Sequence, residues 1–329
     1  MVSIDIQLNQ DVINRLELNP RQIEAVKYFG GPLLILAGAG TGKTKTLTSK
    51  VAVLIASGIH PSRILAITFT NKAAQEMAQR VNAVVPGCAG IWVHTFHGLG
   101  ARILRQHGHL IGIKRDFAIY DEVDQKKAVQ LALKNLNLES EKKKADYYLA
   151  CISRAKDELL DAKSFMINSE VLRDEARMKV ARVYLRYQKE LETAGALDFG
   201  DLIVKTCGLF AQRQNIKEYF QELFQYILVD EYQDTNHAQY VLVKTLSSKH
   251  RNLCVVGDPD QSIYSWRGAD IRNIIEFEKD FKDAKTIALE QNYRSSPQIL
   301  ESANKVILNN KLRKPKNLWT KNENGEKVR

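Results

Sequence analysis

Between Leu33 and Thr44 the chain reads Leu-Leu-Ile-Leu-Ala-Gly-Ala-Gly-Thr-Gly-Lys-Thr, an order of residues that few folds accommodate. Its apolar start is short enough for a buried strand. Glycines at 38, 40 and 42 then let the backbone turn, and Lys43-Thr44 stands where a helix can begin. In a strand–loop–helix of this kind the N–H groups of the loop converge with the positive end of the helix, and a polyphosphate fits there. Ala37, Gly38, Ala39, Gly40, Thr41, Gly42, Lys43 and Thr44 are therefore the candidate phosphate cradle. Lys43 is placed to reach β and γ oxygens, and the Thr44 hydroxyl to ligate Mg²⁺. The usual pattern has glycine where this chain has Ala37, a mild departure because the remaining glycines still admit the phosphates.

The fold class follows from what surrounds that stretch. Apolar runs at 64–70, 91–96, 226–229, 253–258 and 286–290 alternate with helical patterns, which predicts an α/β domain with a parallel sheet covered on both faces. Asn71 is expected to cap the helix after the second run. From 114 to 196 strand signals vanish and charged helical segments take over, at 124–136, 147–160 and 172–193. The expected organisation is an α/β nucleotide-binding domain in two segments, 1–113 and 197–283. A helical subdomain is inserted at 114–196, and a second α/β domain starts at 284–329.

Composition narrows the partners. Forty-eight Lys plus Arg against 38 Asp plus Glu give a net charge of +10, which favours a polyanion. The dense lysines of the insertion read first as a solvated face. No apolar run approaches the roughly 18 residues of a membrane span, and residues 1–18 are too polar for a signal peptide. The four cysteines, Cys88, Cys151, Cys207 and Cys254, match no metal or disulfide spacing, so a packing role and a reducing cytoplasm are expected.

Two acidic clusters complete the chemistry of the loop. Asp230-Glu231 ends an apolar run, so Asp230 is the candidate Mg²⁺ ligand and Glu231 the candidate general base. Gly257-Asp258-Pro259-Asp260-Gln261 ends the next run, and neutral Gln261 can donate to a γ-phosphate oxygen. Ligand sites of open parallel sheets lie beyond the carboxyl ends of strands, where these segments terminate. Tyr264, Trp266 and Arg267 follow directly, an aromatic and arginine set on which bases can stack. Phe69 and Phe96 are expected at strand ends beside Thr70, Asn71 and His97. Their common edge points to a nucleic-acid track.

Taken together, these segments resemble the UvrD/Rep/PcrA family of superfamily-one DNA helicases over nearly the whole chain. The resemblance rests on Ala37–Thr44, on Ile67-Thr68-Phe69-Thr70-Asn71-Lys72-Ala73-Ala74 and Thr95-Phe96-His97, and on Val229-Asp230-Glu231-Tyr232-Gln233-Asp234-Thr235. Gly257 to Ala269 and Gln291-Asn292-Tyr293-Arg294-Ser295 extend it. It implies a RecA-like fold, with ATP and Mg²⁺ driving 3′-to-5′ movement on single-stranded DNA and unwinding at single/double-strand junctions. Repair or replication loading proteins are implied as partners. By matching positions, Gln22 reads the adenine, Tyr293 stacks on the base and Arg294 contacts the γ-phosphate. Phe69, Thr70, Asn71, Phe96, His97, Tyr264, Trp266 and Arg267 line the strand, and Gln261 couples phosphate state to it.

The chain departs from the family pattern at Gly200, where the family usually has Asp, and at His94, where it usually has Ser. The family's later motifs do not appear before Arg329. The chain as given is therefore expected to hydrolyse ATP poorly and not to unwind. The segment 291–329 is expected to be mobile or packed in a non-native way. Two rival readings are a non-motor ATP-dependent switch or clamp that binds nucleic acid, and a binding scaffold with a relic loop. Intact Lys43, Asp230, Glu231 and Gln261 disfavour the scaffold.

Overall fold

The computed structural model describes residues 9–88 and 90–328. Residues 1–8 of the polar N-terminal stretch lie outside the described residues. Contacts divide the chain into two compact units. One comprises the described residues up to Thr95, with Phe220–Thr235 and those from Val243 on; the other comprises Phe96–Tyr219 and Asn236–Leu242.

In chain order the strands are β1 (Leu33–Ala37), β2 (Ile64–Thr68), β3 (Trp92–Thr95), β4 (Ala118–Tyr120), β5 (Ala196–Asp198), β6 (Tyr226–Val229), β7 (Leu253–Gly257), β8 (Lys285–Leu289), β9 (Gln291–Asn292) and β10 (Trp319–Thr320). The first unit is built on a six-stranded parallel sheet of order β3-β2-β6-β7-β1-β8. Every residue of β1, β2, β6 and β7 is buried, which is why they read as unbroken apolar runs. Leu33, Ile35, Ala66, Leu228 and Val256 pack with Leu47, Val51, Met77 and Val81 from helices Lys43–Ala56 and Asn71–Val84. Because the strands are parallel, the loops after β1, β2, β6 and β7 all leave from one edge of the sheet. The α/β reading of the sequence is realised here.

The segments after 283 and one helix cap need description in this unit. The strand at 285–289 pairs with β1 from Leu33↔Lys285 to Ala37↔Leu289 and lies at the edge of the first sheet. Its Ile287 and Leu289 are buried and complete the core beside β1. Beyond it the chain runs from 291 to 328. β9 pairs with β10, helix Pro297–Ile307 lies between them in sequence, and Asn292 binds the phosphate loop. Thr70 rather than Asn71 is the helix cap, its hydroxyl accepting from the Ala73 amide at 3.1 Å.

The second unit is helical around a core that includes Val129, Leu133, Tyr148, Ile152, Phe165, Val183, Tyr184 and Tyr187. It is wider than the expected insertion at 114–196 because helices Phe96–His107 and Phe199–Gln212 pack on each other within it. The helical pattern at 172–193 is broken: Arg173 takes φ 52°, and Asp174 caps a new helix, Glu175–Ala194. The three-residue strands β4 and β5 pair in parallel, too short for their alternation to register in the sequence.

Candidate active site

The phosphate loop is shaped as its glycines predict. Gly42 sits at φ 83°, a conformation that suits glycine, and starts helix Lys43–Ala56. Thr41 is fully buried and its hydroxyl donates to the Gly38 carbonyl at 2.8 Å, tying the loop across its base. From the next but one strand, β6, the sheet carries Asp230 and Glu231 to the same edge.

Lys43 lies at the centre. Its ammonium donates to Glu231 Oε2 at 3.0 Å and to Gln261 Oε1 at 3.2 Å. The Thr44 hydroxyl donates to Asp230 Oδ2 at 3.4 Å. These five residues, chosen from separate stretches of sequence, thus meet in one network. Glu231 adopts φ 49° and ψ 43°, a left-handed conformation that costs a β-substituted residue on the order of 1 kcal/mol or more and that turns its carboxylate toward Lys43. Gln233, not singled out from the sequence, donates to Glu231 Oε2 at 2.9 Å and accepts from the Asp258 amide at 3.0 Å. It links the two acidic clusters; its place inside the motif Asp230–Thr235 was the available signal.

Burial, and after it the negative charge of Glu231, push the Asp230 carboxyl up to about 6. The same two causes raise Asp234 to about 6. A buried carboxylate beside a hydroxyl is a hard-oxygen donor pair. Among the described residues no cluster of three or more acidic, His or Cys side chains could hold a metal alone. Mg²⁺ takes one or two protein oxygens and completes its shell with phosphate and water. Thr44 and Asp230 fit that group.

The expected nucleoside residues line one open cleft of about 450 Å³: Gln22, Gly40, Gly42, Tyr293 and Arg294, with Glu17 and Lys45. Asn19 caps helix Pro20–Lys27 in a reciprocal box with Gln22, whose Nε2 also donates to the Thr41 carbonyl at 3.0 Å. Gln22 is buried and holds the phosphate loop, while its amide retains one N–H for a ligand. Tyr293 is half exposed and its hydroxyl accepts from Asn19 Nδ2 at 2.8 Å. Its backbone amide reaches the Gly40 carbonyl at 2.9 Å, and Asn292 Nδ2 reaches that of Ala39 at 2.6 Å. Asn292 was missed as a site residue, although it stands within a quoted motif.

The residues expected on the nucleic-acid track divide. In the first unit Tyr264, Trp266 and Arg267 are exposed, and the guanidinium of Arg267 stands 4.6 Å from the Trp266 ring centre. Phe69 is partly buried and Asn71 exposed after β2, but the Thr70 hydroxyl is taken by its helix cap. In the second unit Phe96, directly after β3 ends at Thr95, is only 2 % exposed and begins a helix. His97 stands edge-on to Phe199 at 5.6 Å, and burial lowers its pKa.

Both departures have local settings. A Cβ at Gly200 would lie 2.7 Å from Lys156 Cδ, so glycine is what admits that lysine. His94 is T-shaped to Trp92 at 5.7 Å.

Comparison with known proteins agrees with this geometry. The sequence model of the UvrD/REP helicase N-terminal domain matches residues 18–282, and that of the UvrD-like helicase C-terminal domain matches residues 287–329. The chain is 53% identical over 313 residues to the ATP-dependent DNA helicase PcrA of Staphylococcus aureus and 52% identical over 313 residues to that of Bacillus subtilis. Each match covers 94% of this chain and 42% of the relative, so the chain spans less than half the length of these curated relatives. The match of the N-terminal domain runs through both units and includes Lys43, Thr44, Asp230, Glu231 and Gln261, while Asn292, Tyr293 and Arg294 fall within that of the C-terminal domain, and the chain belongs to the UvrD/REP helicase family.

Proposed function

We propose that this chain binds and hydrolyses ATP with Mg²⁺ as part of a DNA helicase that moves 3′-to-5′ along single-stranded DNA. The observation that carries the reading is the convergence of Lys43 on Glu231 and Gln261 beside the Thr44–Asp230 pair, at the N-terminus of helix Lys43–Ala56. Phosphate oxygens at the loop compete with Glu231 for the Lys43 ammonium and release the carboxylate toward water. Glu231 then takes the proton as water oxygen bonds to the γ-phosphorus and the bond to the β-bridging oxygen breaks, giving ADP and phosphate. Thr44 and Asp230 would hold Mg²⁺, which neutralises charge developing on the phosphate oxygens. Gln22 and Tyr293 hold the base, and Arg294 stands beside them to meet the γ-phosphate. Trp266 and Arg267, with Tyr264, Phe69 and Asn71, offer the stacking and basic surface for the strand.

A fluorescent oligo(dT) titrated onto the protein at several salt concentrations, with and without ATPγS and Mg²⁺, tests this. Affinity should fall steeply with salt and change several-fold with nucleotide, because coupling between two sites is reciprocal. Trp266→Ala should cost about 1–3 kcal/mol with an unchanged salt slope, since stacking releases no counterions. Tight DNA binding that ignores nucleotide would sink the motor reading and leave the binding scaffold.

A further inference from the structure

The stretch after helix Pro297–Ile307 is basic and polar, yet the Lys316 side chain is only 4% exposed and makes ion pairs with both Asp258 and Asp260. Arg313 adds a contact to Asp260 Oδ2 at 3.3 Å. Two residues on, the methyl groups of Leu318 lie against Gly38, so closely that a Cβ there would stand 2.7 Å from one of them. The segment 313–320 therefore straps the phosphate loop to the loop after β7.

Asp258 is the pivot. Its Oδ1 takes Lys316, and its Oδ2 accepts from Gln261 Nε2. With its nitrogen held on Asp258, Gln261 turns its oxygen to Lys43. An amide nitrogen has two N–H donors, and the second remains for a γ-phosphate oxygen once Lys43 turns to the phosphates. The orientation of Gln261 thus depends on where the Asp258 carboxylate is held. Beside it stands a second carboxylate, Asp260, only 7% exposed. Like charges side by side repel, and the Lys316 ammonium between them offsets that repulsion.

We propose that Lys316 is a positioning residue for triphosphate recognition, its ammonium fixing the Asp258 carboxylate in place so that Gln261 presents its amide nitrogen to the γ-phosphate. The inference rests on the reading of Lys43–Thr44 as an ATP site. Removing the ammonium leaves Asp258 facing Asp260 with no cation of its own, so the Asp258 carboxylate turns away and frees the Gln261 amide to rotate. The site then loses its preference for a triphosphate over a diphosphate while keeping the rest of the cradle.

Isothermal titration of the whole chain with Mg²⁺ and either ATPγS or ADP decides it. Lys316→Met should weaken ATPγS about tenfold, the value of one hydrogen bond to a charged group, and leave ADP within about twofold. Lys316→Met combined with Asp260→Asn removes one carboxylate along with the cation and should recover most of the ATPγS affinity. ADP affinity reports that each variant is folded, and Lys316→Gln, with the same expectation, stands in if Lys316→Met is not. An unchanged ATPγS-to-ADP ratio in the single variant overturns the proposal. So does an equal loss in single and double variants, which would assign the effect to the strap rather than to charge. Absence of nucleotide binding by the unmodified chain would instead overturn the ATP site itself.

Discussion

Lys43 and Lys156 both stand between acidic side chains, and they behave as opposites. In the second unit Lys156 is 2% exposed, with Asp198 Oδ2 at 2.6 Å and Asp201 Oδ1 at 2.8 Å. Asp198 also accepts from the Tyr187 hydroxyl at 2.7 Å and from the Asp201 amide at 2.8 Å. Burial opposes the charge on Lys156, but the two carboxylates prevail and hold its pKa above the usual lysine range. Against this closed set, Glu231 beside Lys43 is 38% exposed and held in a left-handed backbone, and Asp230 carries a raised pKa. The difference teaches what separates a structural ion cluster from a site. In the first, the cation and its two carboxylates answer one another. In the second, charge and hydrogen-bonding capacity are left over for a ligand.

The largest effect expected at the open cluster is on rate. Glu231→Gln should slow phosphate release by roughly 10²–10⁴-fold, the loss typical of a general base. ATP affinity should hold, whereas Lys43→Ala should weaken it. Unchanged hydrolysis by Glu231→Gln would take the cluster out of catalysis and erase the contrast.

At the closed cluster the effect should be on stability. Lys156→Met strands Asp198 and Asp201 without their cation, and breaking a buried pair in this way costs about 3–5 kcal/mol. A denaturant melt reads it. A change under about 1 kcal/mol would show that Lys156 is no more essential than a surface ion.

A smaller, pH-dependent effect sharpens the comparison. Asp157, next in the chain to Lys156, accepts from Asn236 Nδ2 at 2.7 Å. Burial pushes it up to about 7, offset in part by that hydrogen bond. Its folded pKa lies above its unfolded value, so the folded state binds the extra proton. Stability is therefore greatest below about pH 4 for this group and is lost as pH rises through 7. Asp157→Asn should raise stability by about 2 kcal/mol at pH 8, and the gain should close toward pH 4. A gain independent of pH would assign the effect to packing.

Much of this was legible because it is local. Glycines before Lys43-Thr44 and acids closing the apolar runs at 230 and 258 need only neighbouring residues, and each stands where the spacing placed it. Three-residue strands and the break at Arg173 escaped because so few residues carry no period. Phe96 stands at its strand end, but that it also opens a helix and is buried could not be read from its neighbours.

The sequence by itself determined the phosphate cradle, the carboxylates that accompany it and the parallel α/β sheet, since backbone turns, caps and buried runs are written in adjacent residues. Tertiary structure alone decided that β8 lies beside β1 at the edge of the first sheet. It alone decided that Gly200 admits Lys156, and that the Lys316 side chain, from a basic and polar stretch, is buried against Asp258 and Asp260. Those outcomes depend on which distant surfaces meet, and a lysine's charge becomes structural only when packing removes the water and leaves a carboxylate in its place.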